Sequence, residues 1–182
     1  MKRWSRGAAL LLAVVLLAAC AKNTDVTFRE LQARLPATLG KKYALSPEET
    51  APEVPGPYLG YTVTDGRETV GALSFMRWDQ LKYYYEAQQG DGDFAAYALE
   101  SWRSWTVSPD AAADWLGLVG AEVLSCGDWD GPLPGVQITY RWEGMQQRDL
   151  YVLKNGDAYV IHDEAADEGL AALLDQVLES VS

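Results

Sequence analysis

The hydrophobic and polar positions of this chain change rhythm several times, and each change predicts an element. From Ala8 to Ala19 every residue is Ala, Leu or Val, and the run halts at Cys20. About a dozen residues are too few to cross a bilayer as a helix, which takes ~20, but they match the apolar segment of a secretory signal. Lys2, Arg3 and Arg6 precede the run, and Lys22, Asn23 and Asp25 follow it. Residues 1–19 therefore read as a signal peptide, 20–25 as a short tether and 26–182 as a single domain.

The start of that domain, VTFRELQARLPATLG, supports two readings. Thr27 and Glu30 have capping-box spacing, with Val26 and Leu31 as the accompanying staple, which predicts a short helix. Leu31, Ala33 and Leu35 alternate with Gln32 and Arg34, which predicts a strand ending at Pro36, and the strand is preferred. Four prolines make LSPEETAPEVPGPYLG a loop. YLGYTVTDGRETVGALSFMRW predicts a hairpin turning on Asp65-Gly66. DQLKYYYEAQQ is ambiguous: Trp78, Leu81 and Tyr85 fall at helical spacing, whereas the tyrosine run suits a strand. Phe94, Ala98, Trp102 and Trp105 form one apolar stripe, predicting a helix capped by Asp91 or Asp93. Ser108-Pro109 opens a shorter helix through Trp115.

From Ala121 onward the period is two. Val136, Ile138, Tyr140 and Trp142 alternate with Gln137, Thr139 and Arg141, and DLYVLKNGDAYVIH carries the hairpin signal Asn155-Gly156. With those two residues in the turn, Val152 faces Tyr159, Leu150 faces Ile161 and Asp149 faces His162. Both faces of that hairpin are substantially apolar, so each needs a cover. The last segment supplies one, an amphipathic helix presenting Leu170, Leu173, Leu174, Val177, Leu178 and Val181. The expected class is α+β, an antiparallel sheet sandwiched between helices.

Composition narrows the setting. Hydrophobic residues make up 48% of the 182, which argues against disorder. Cleavage before Cys20 would leave 163 residues and, without Lys2, Arg3 and Arg6, move the net charge from −11 to −14. Nucleic acid, which needs a basic footprint, is excluded as a partner. If Cys20 is consumed, Cys126 is the only thiol left, and it reads as a small buried hydrophobe. Seven Trp and ten Tyr exceed what a minimal core requires.

Leu17-Ala18-Ala19-Cys20 resembles the lipobox of bacterial lipoprotein precursors. The resemblance implies a diacylglyceryl group on the Cys20 sulfur, cleavage before Cys20, and residence at the cell membrane on its extracytoplasmic face. Two acyl chains make such anchoring lasting where one would not. The order of elements, FRELQARLP as an opening strand, a hairpin, the helix DFAAYALESW, four strands and the closing helix LLDQVLESV, resembles the Mog1/PsbP-like architecture. It is also similar to small lipoproteins of Gram-positive gut bacteria. That family implies roles as varied as photosystem II assembly and Ran binding, and no catalytic motif to carry over.

Candidate chemistry is sparse. His162 is the sole histidine; with Asp149 it could serve a Ser-His-Asp system lacking an identified serine, but a structural His–Asp pair is the more economical reading. Zinc would need carboxylates for its remaining ligands, an uncommon set. Asp128, Asp130 and Gly131 form a fragment of a calcium loop that turn chemistry explains better. Asp163, Glu164, Asp167 and Glu168 suit the positive end of the last helix. These residues predict a non-enzymatic, lipid-anchored domain without a cofactor that presents a surface to an envelope protein or small ligand. The alternative is a small-molecule or metal-binding module on the sheet face around Tyr140, Trp142, Tyr151 and His162. An envelope hydrolase ranks third.

Overall fold

A computed structural model describes residues 26–48, 57–89 and 92–179. The signal, Cys20 and the tether lie outside the described residues, as does Val181. Among the described residues the chain is α+β, with a seven-stranded, wholly antiparallel sheet and five helices. In chain order the elements are α1 (Val26–Leu39), β1 (Tyr43–Pro47), β2 (Tyr58–Asp65), β3 (Glu68–Arg77), α2 (Asp79–Gln89), α3 (Phe94–Trp105) and α4 (Pro109–Leu116). They continue with β4 (Glu122–Asp128), β5 (Gly135–Trp142), β6 (Met145–Lys154), β7 (Asp157–Ala165) and α5 (Glu168–Glu179). The strands lie in the order β1-β2-β3-β7-β6-β5-β4.

Residues 26–39 form a helix, not the expected strand. Leu31, Leu35 and Leu39 are all buried while Ala33 and Ala37, which would share their face in a strand, are exposed, a pattern that fits a helix. Pro36 lies inside it on the exposed side, where water can reach the carbonyl it leaves without a partner. An interior proline costs about 3 kcal/mol. Burying three leucines contributes roughly 5–9 kcal/mol, so packing wins.

The proline-rich stretch is likewise shorter as a loop than expected. Tyr43–Pro47 pairs with β2 as the edge strand, a position where a proline is tolerated. The hairpin beside it turns one residue later than expected. Asp65 pairs with Glu68, leaving Gly66 at φ +66 and Arg67 as the turn. A positive φ at the first central position is what glycine there provides. The ambiguous DQLKYYYEAQQ is helical. Asp93, not Asp91, caps α3 by accepting from the Ala96 N–H, and Ser108 caps α4 from the Ala111 N–H. At Asn155-Gly156 both residues have positive φ (54° and 80°), and the pairing of β6 with β7 matches the sequence reading residue for residue.

Each face of the sheet has its own core. On the first, α1 and α5 pack against Leu59, Val63, Leu73, Phe75, Leu150 and Ile161. On the second, α2, α3 and α4 cover Val136, Ile138, Tyr140, Tyr151 and Leu153, with the fully buried Trp102 among them. The two helical layers are offset. The first reaches from β1 across to β7, whereas the second lies over β4–β7 alone, so Thr62, Ala72 and Ser74 on the second face are only half-buried.

Candidate functional site

That offset positions the polar cluster. Alternation along β7 puts Val160, His162 and Glu164 on the second face and Ile161 and Asp163 on the first. His162 therefore stands where helical cover gives way to half-open sheet. Its Nδ1 lies 2.7 Å from Asp149 Oδ1 on β6, and its Nε2 lies 3.4 Å from Glu164 Oε1. Burial alone would depress its pKa. The hydrogen bonds and charges of the two carboxylates overcome that and push it up to about 10. The two carboxylates thus favour the imidazolium, the form that can donate from both nitrogens.

Tyr140 neighbours this clamp from β5. Burial, followed by the charge of Asp149, holds its hydroxyl well above the ordinary tyrosine range. Tyr151 is held up by the same two causes and accepts a 2.8 Å hydrogen bond from Trp115 Nε1. Trp115 in turn stacks on Trp105 at 3.6 Å between ring centroids. Tyr140 and Tyr151 are only 2% and 6% exposed, so their rings fill the face where a ligand would have to sit. Trp142, at the end of β5, donates from Nε1 to the Val119 carbonyl. The expected constellation is thus one connected region, but its aromatic part is packed core and its half-open part is the His162 clamp.

The sequence reading missed two neighbours. Glu164 belongs to β7 and faces His162, so it has no part in the helix dipole. Asp167 does serve α5, accepting from the Leu170 N–H at 2.8 Å, and Glu168 lies in that helix's first turn. Asp163 points to the other face and meets Arg148. The second missed residue is Ser74, the register partner of His162 on β3. Ser74, His162 and Asp149 stand in one line across three adjacent strands, yet it is Glu164 that meets His162 Nε2.

The other flagged residues have local roles. Asp128 accepts from Arg103 at 2.8 Å. Cys126 is half-buried against the second core, and burial pushes its thiol up, away from the thiolate form that reacts. Among the described residues no group of three His, Cys, Asp or Glu side chains is placed to hold a metal ion, and no helix is long and apolar enough to cross a membrane.

No protein-family model matches the chain, and no curated protein matches it. Among solved structures, a Pseudomonas aeruginosa protein of unknown function, PA94, a candidate regulator, is similar over 74% of this chain and 94% of its own. The identity is 14% and the TM-score 0.42. A likeness of that size carries no argument about fold family or activity.

Proposed function

We propose that this is a non-enzymatic lipoprotein domain, anchored through a diacylglyceryl group on Cys20 to the extracytoplasmic face of a bacterial cell membrane, where it presents a binding surface to another envelope protein. The observation that carries the reading is Leu17-Ala18-Ala19-Cys20 at the end of a dozen-residue apolar run. The Mog1/PsbP-like assignment belongs to the same proposal; its support is the order of elements and the helices on both faces of an antiparallel sheet.

The non-enzymatic part draws on His162. A general base must be unprotonated near the working pH. Asp149 and Glu164, one at each nitrogen, favour the protonated form of this imidazole, which is the wrong form for a base. The ligand-binding alternative at Tyr140, Trp142 and Tyr151 is disfavoured by the filled face, and its metal version by the lack of a ligand set among the described residues. Intact-mass measurement of protein extracted from membranes tests the anchor: the expected species begins at Cys20 and carries acyl chains. Unacylated protein still bearing Met1 would overturn the proposal. Crosslinking in membranes, repeated with Cys20→Ser, tests the partner, and reproducible capture that is lost on release from the membrane is expected.

A further inference from the structure

The anchor, if Cys20 bears it, also dictates which end of the domain meets the bilayer, and that inference rests on the lipoprotein reading. From Cys20 to Val26 the chain can span at most about 20 Å. The start of α1 is therefore held close to the headgroups. Topology places that start. The end of α1 joins β1 through the short turn at residues 40–42, so Leu39 lies at the end of the sheet where β1 begins and β2 finishes. Fourteen residues of α-helix run about 21 Å. With Leu31, Leu35 and Leu39 all buried in the first core beside α5, α1 runs back over the sheet, which sends Val26 toward the other end, where β3 finishes and the β6–β7 turn sits.

The same end carries the α2 helix, which starts two residues after β3. Its Lys82 Nζ donates to the Gly156 carbonyl and to Asp157 Oδ1 in the β6–β7 turn. On its outward side Tyr83 and Tyr84 are 69% and 58% exposed, packed edge to face with ring centroids 5.9 Å apart. Two adjacent exposed tyrosines have no role in the core, whose share of this helix falls to Leu81 and Tyr85. A tyrosine ring combines an apolar body with a polar tip, the combination favoured at the membrane–water boundary.

We propose that this end of the domain faces the bilayer and that Tyr83 and Tyr84 seat in its headgroup layer. The contact is aromatic, not electrostatic, since Arg77 and Lys82 there are already paired with Asp79 and Asp157. It therefore orients the anchored domain on neutral lipid, and salt leaves it unchanged. The opposite end has an exposed apolar residue of its own, Val119, 96% exposed shortly before β4, and that is the competing orientation.

The test uses full-length acylated protein in phosphatidylcholine vesicles, in a Cys126→Ser background. An environment-sensitive fluorophore is placed at Ala87→Cys, an exposed site one helical turn beyond the tyrosines, or at Val119→Cys. Nitroxide-bearing lipids should quench the Ala87 label severalfold more than the Val119 label, at low and high salt alike, and Tyr83→Ser/Tyr84→Ser should abolish the difference. Acylated protein whose Ala87 label stays in water, or whose Val119 label is the quenched one, overturns the orientation and leaves the anchor standing. Mass measurement on the same sample showing an unmodified Cys20 overturns the anchor reading, and this proposal with it.

Discussion

Two ion clusters stand back to back on β6 and β7, built from neighbouring residues of the same strands. On the first face Arg148 is held by Asp163 and by Asp175 of α5; on the second His162 is held by Asp149 and Glu164. Each has one cation between two carboxylates. They differ in cover and in proton chemistry. Arg148 bridges the sheet to α5 and donates from Nε and Nη2 to Asp163 at 2.9 and 2.8 Å. Arginine stays charged at every accessible pH. The His162 side chain is 29% exposed, and its charge depends on pH. The lesson is that pairing alone does not define a working site: one cluster fastens a helix, and the other is the half-open, titratable feature of the sheet.

The closed cluster should give the largest change in stability. Asp163 is 5% exposed; burial pushes its carboxyl up and Arg148 opposes that. Arg148→Met removes the opposing charge and leaves a buried carboxylate unpaired, so chemical denaturation should show a loss of about 3–5 kcal/mol. Replacing both partners, with Arg148→Met and Asp163→Leu, should recover most of it, because apolar groups of similar volume can stand in for a buried pair. Failure of the double variant to recover would mean that the cluster holds α5 by geometry that packing cannot supply.

On the open side the effects are smaller and depend on pH. Asp149→Asn should cost about 1–3 kcal/mol, the range for losing a charged hydrogen-bond partner. His162 should leave a signature in the stability curve. Its folded pKa, about 10, lies above the ordinary 6.5. Its stabilisation is therefore complete below pH 6.5 and is lost as pH rises toward 10, at no more than about 1.4 kcal/mol per pH unit. The difference curve between the parent and His162→Gln should fall across that window. A difference curve for His162→Gln that rises with pH would mean that the imidazole is neutral in the fold and free to act as a base.

The sequence made the cross-strand pair of each cluster readable and hid the remaining partners. Asn155-Gly156 pins the β6–β7 register locally, so the meeting of Asp149 with His162 follows from a turn. Ser74 reaches His162 only through the pairing of β3 with β7, a contact between strands far apart in the chain with no turn to announce it. Glu164 was obscured by an element boundary: β7 continues to Ala165, so a carboxylate assigned to the start of α5 instead alternates onto the sheet. The same register sets Arg148 opposite Asp163, so that pair also follows from the turn; Asp175 gave no signal, because it comes from a helix whose docking is tertiary. The misreading of α1 has a different cause. Its i, i+4, i+8 leucines were present, but Pro36 argued for a stop, and local propensity yielded to burial against α5 and the sheet.

Ser74 should matter least for stability. Ser74→Ala removes a hydroxyl that hydrogen-bonds Tyr58 beside the clamp, and should cost about 0.5–1.5 kcal/mol. It should not move the His162 pKa, because the hydrogen bonds that raise that value come from Asp149 and Glu164. Titration of the imidazole by NMR separates the two roles. An unchanged midpoint in Ser74→Ala, together with a marked fall in Glu164→Gln, fits a clamp closed by two carboxylates. A midpoint that moves with Ser74 and ignores Glu164 would place the serine hydroxyl on Nε2. The line of Ser74, His162 and Asp149 would then have the geometry of a nucleophile with its base and orienting carboxylate, and the envelope hydrolase would displace the binding domain as the leading reading.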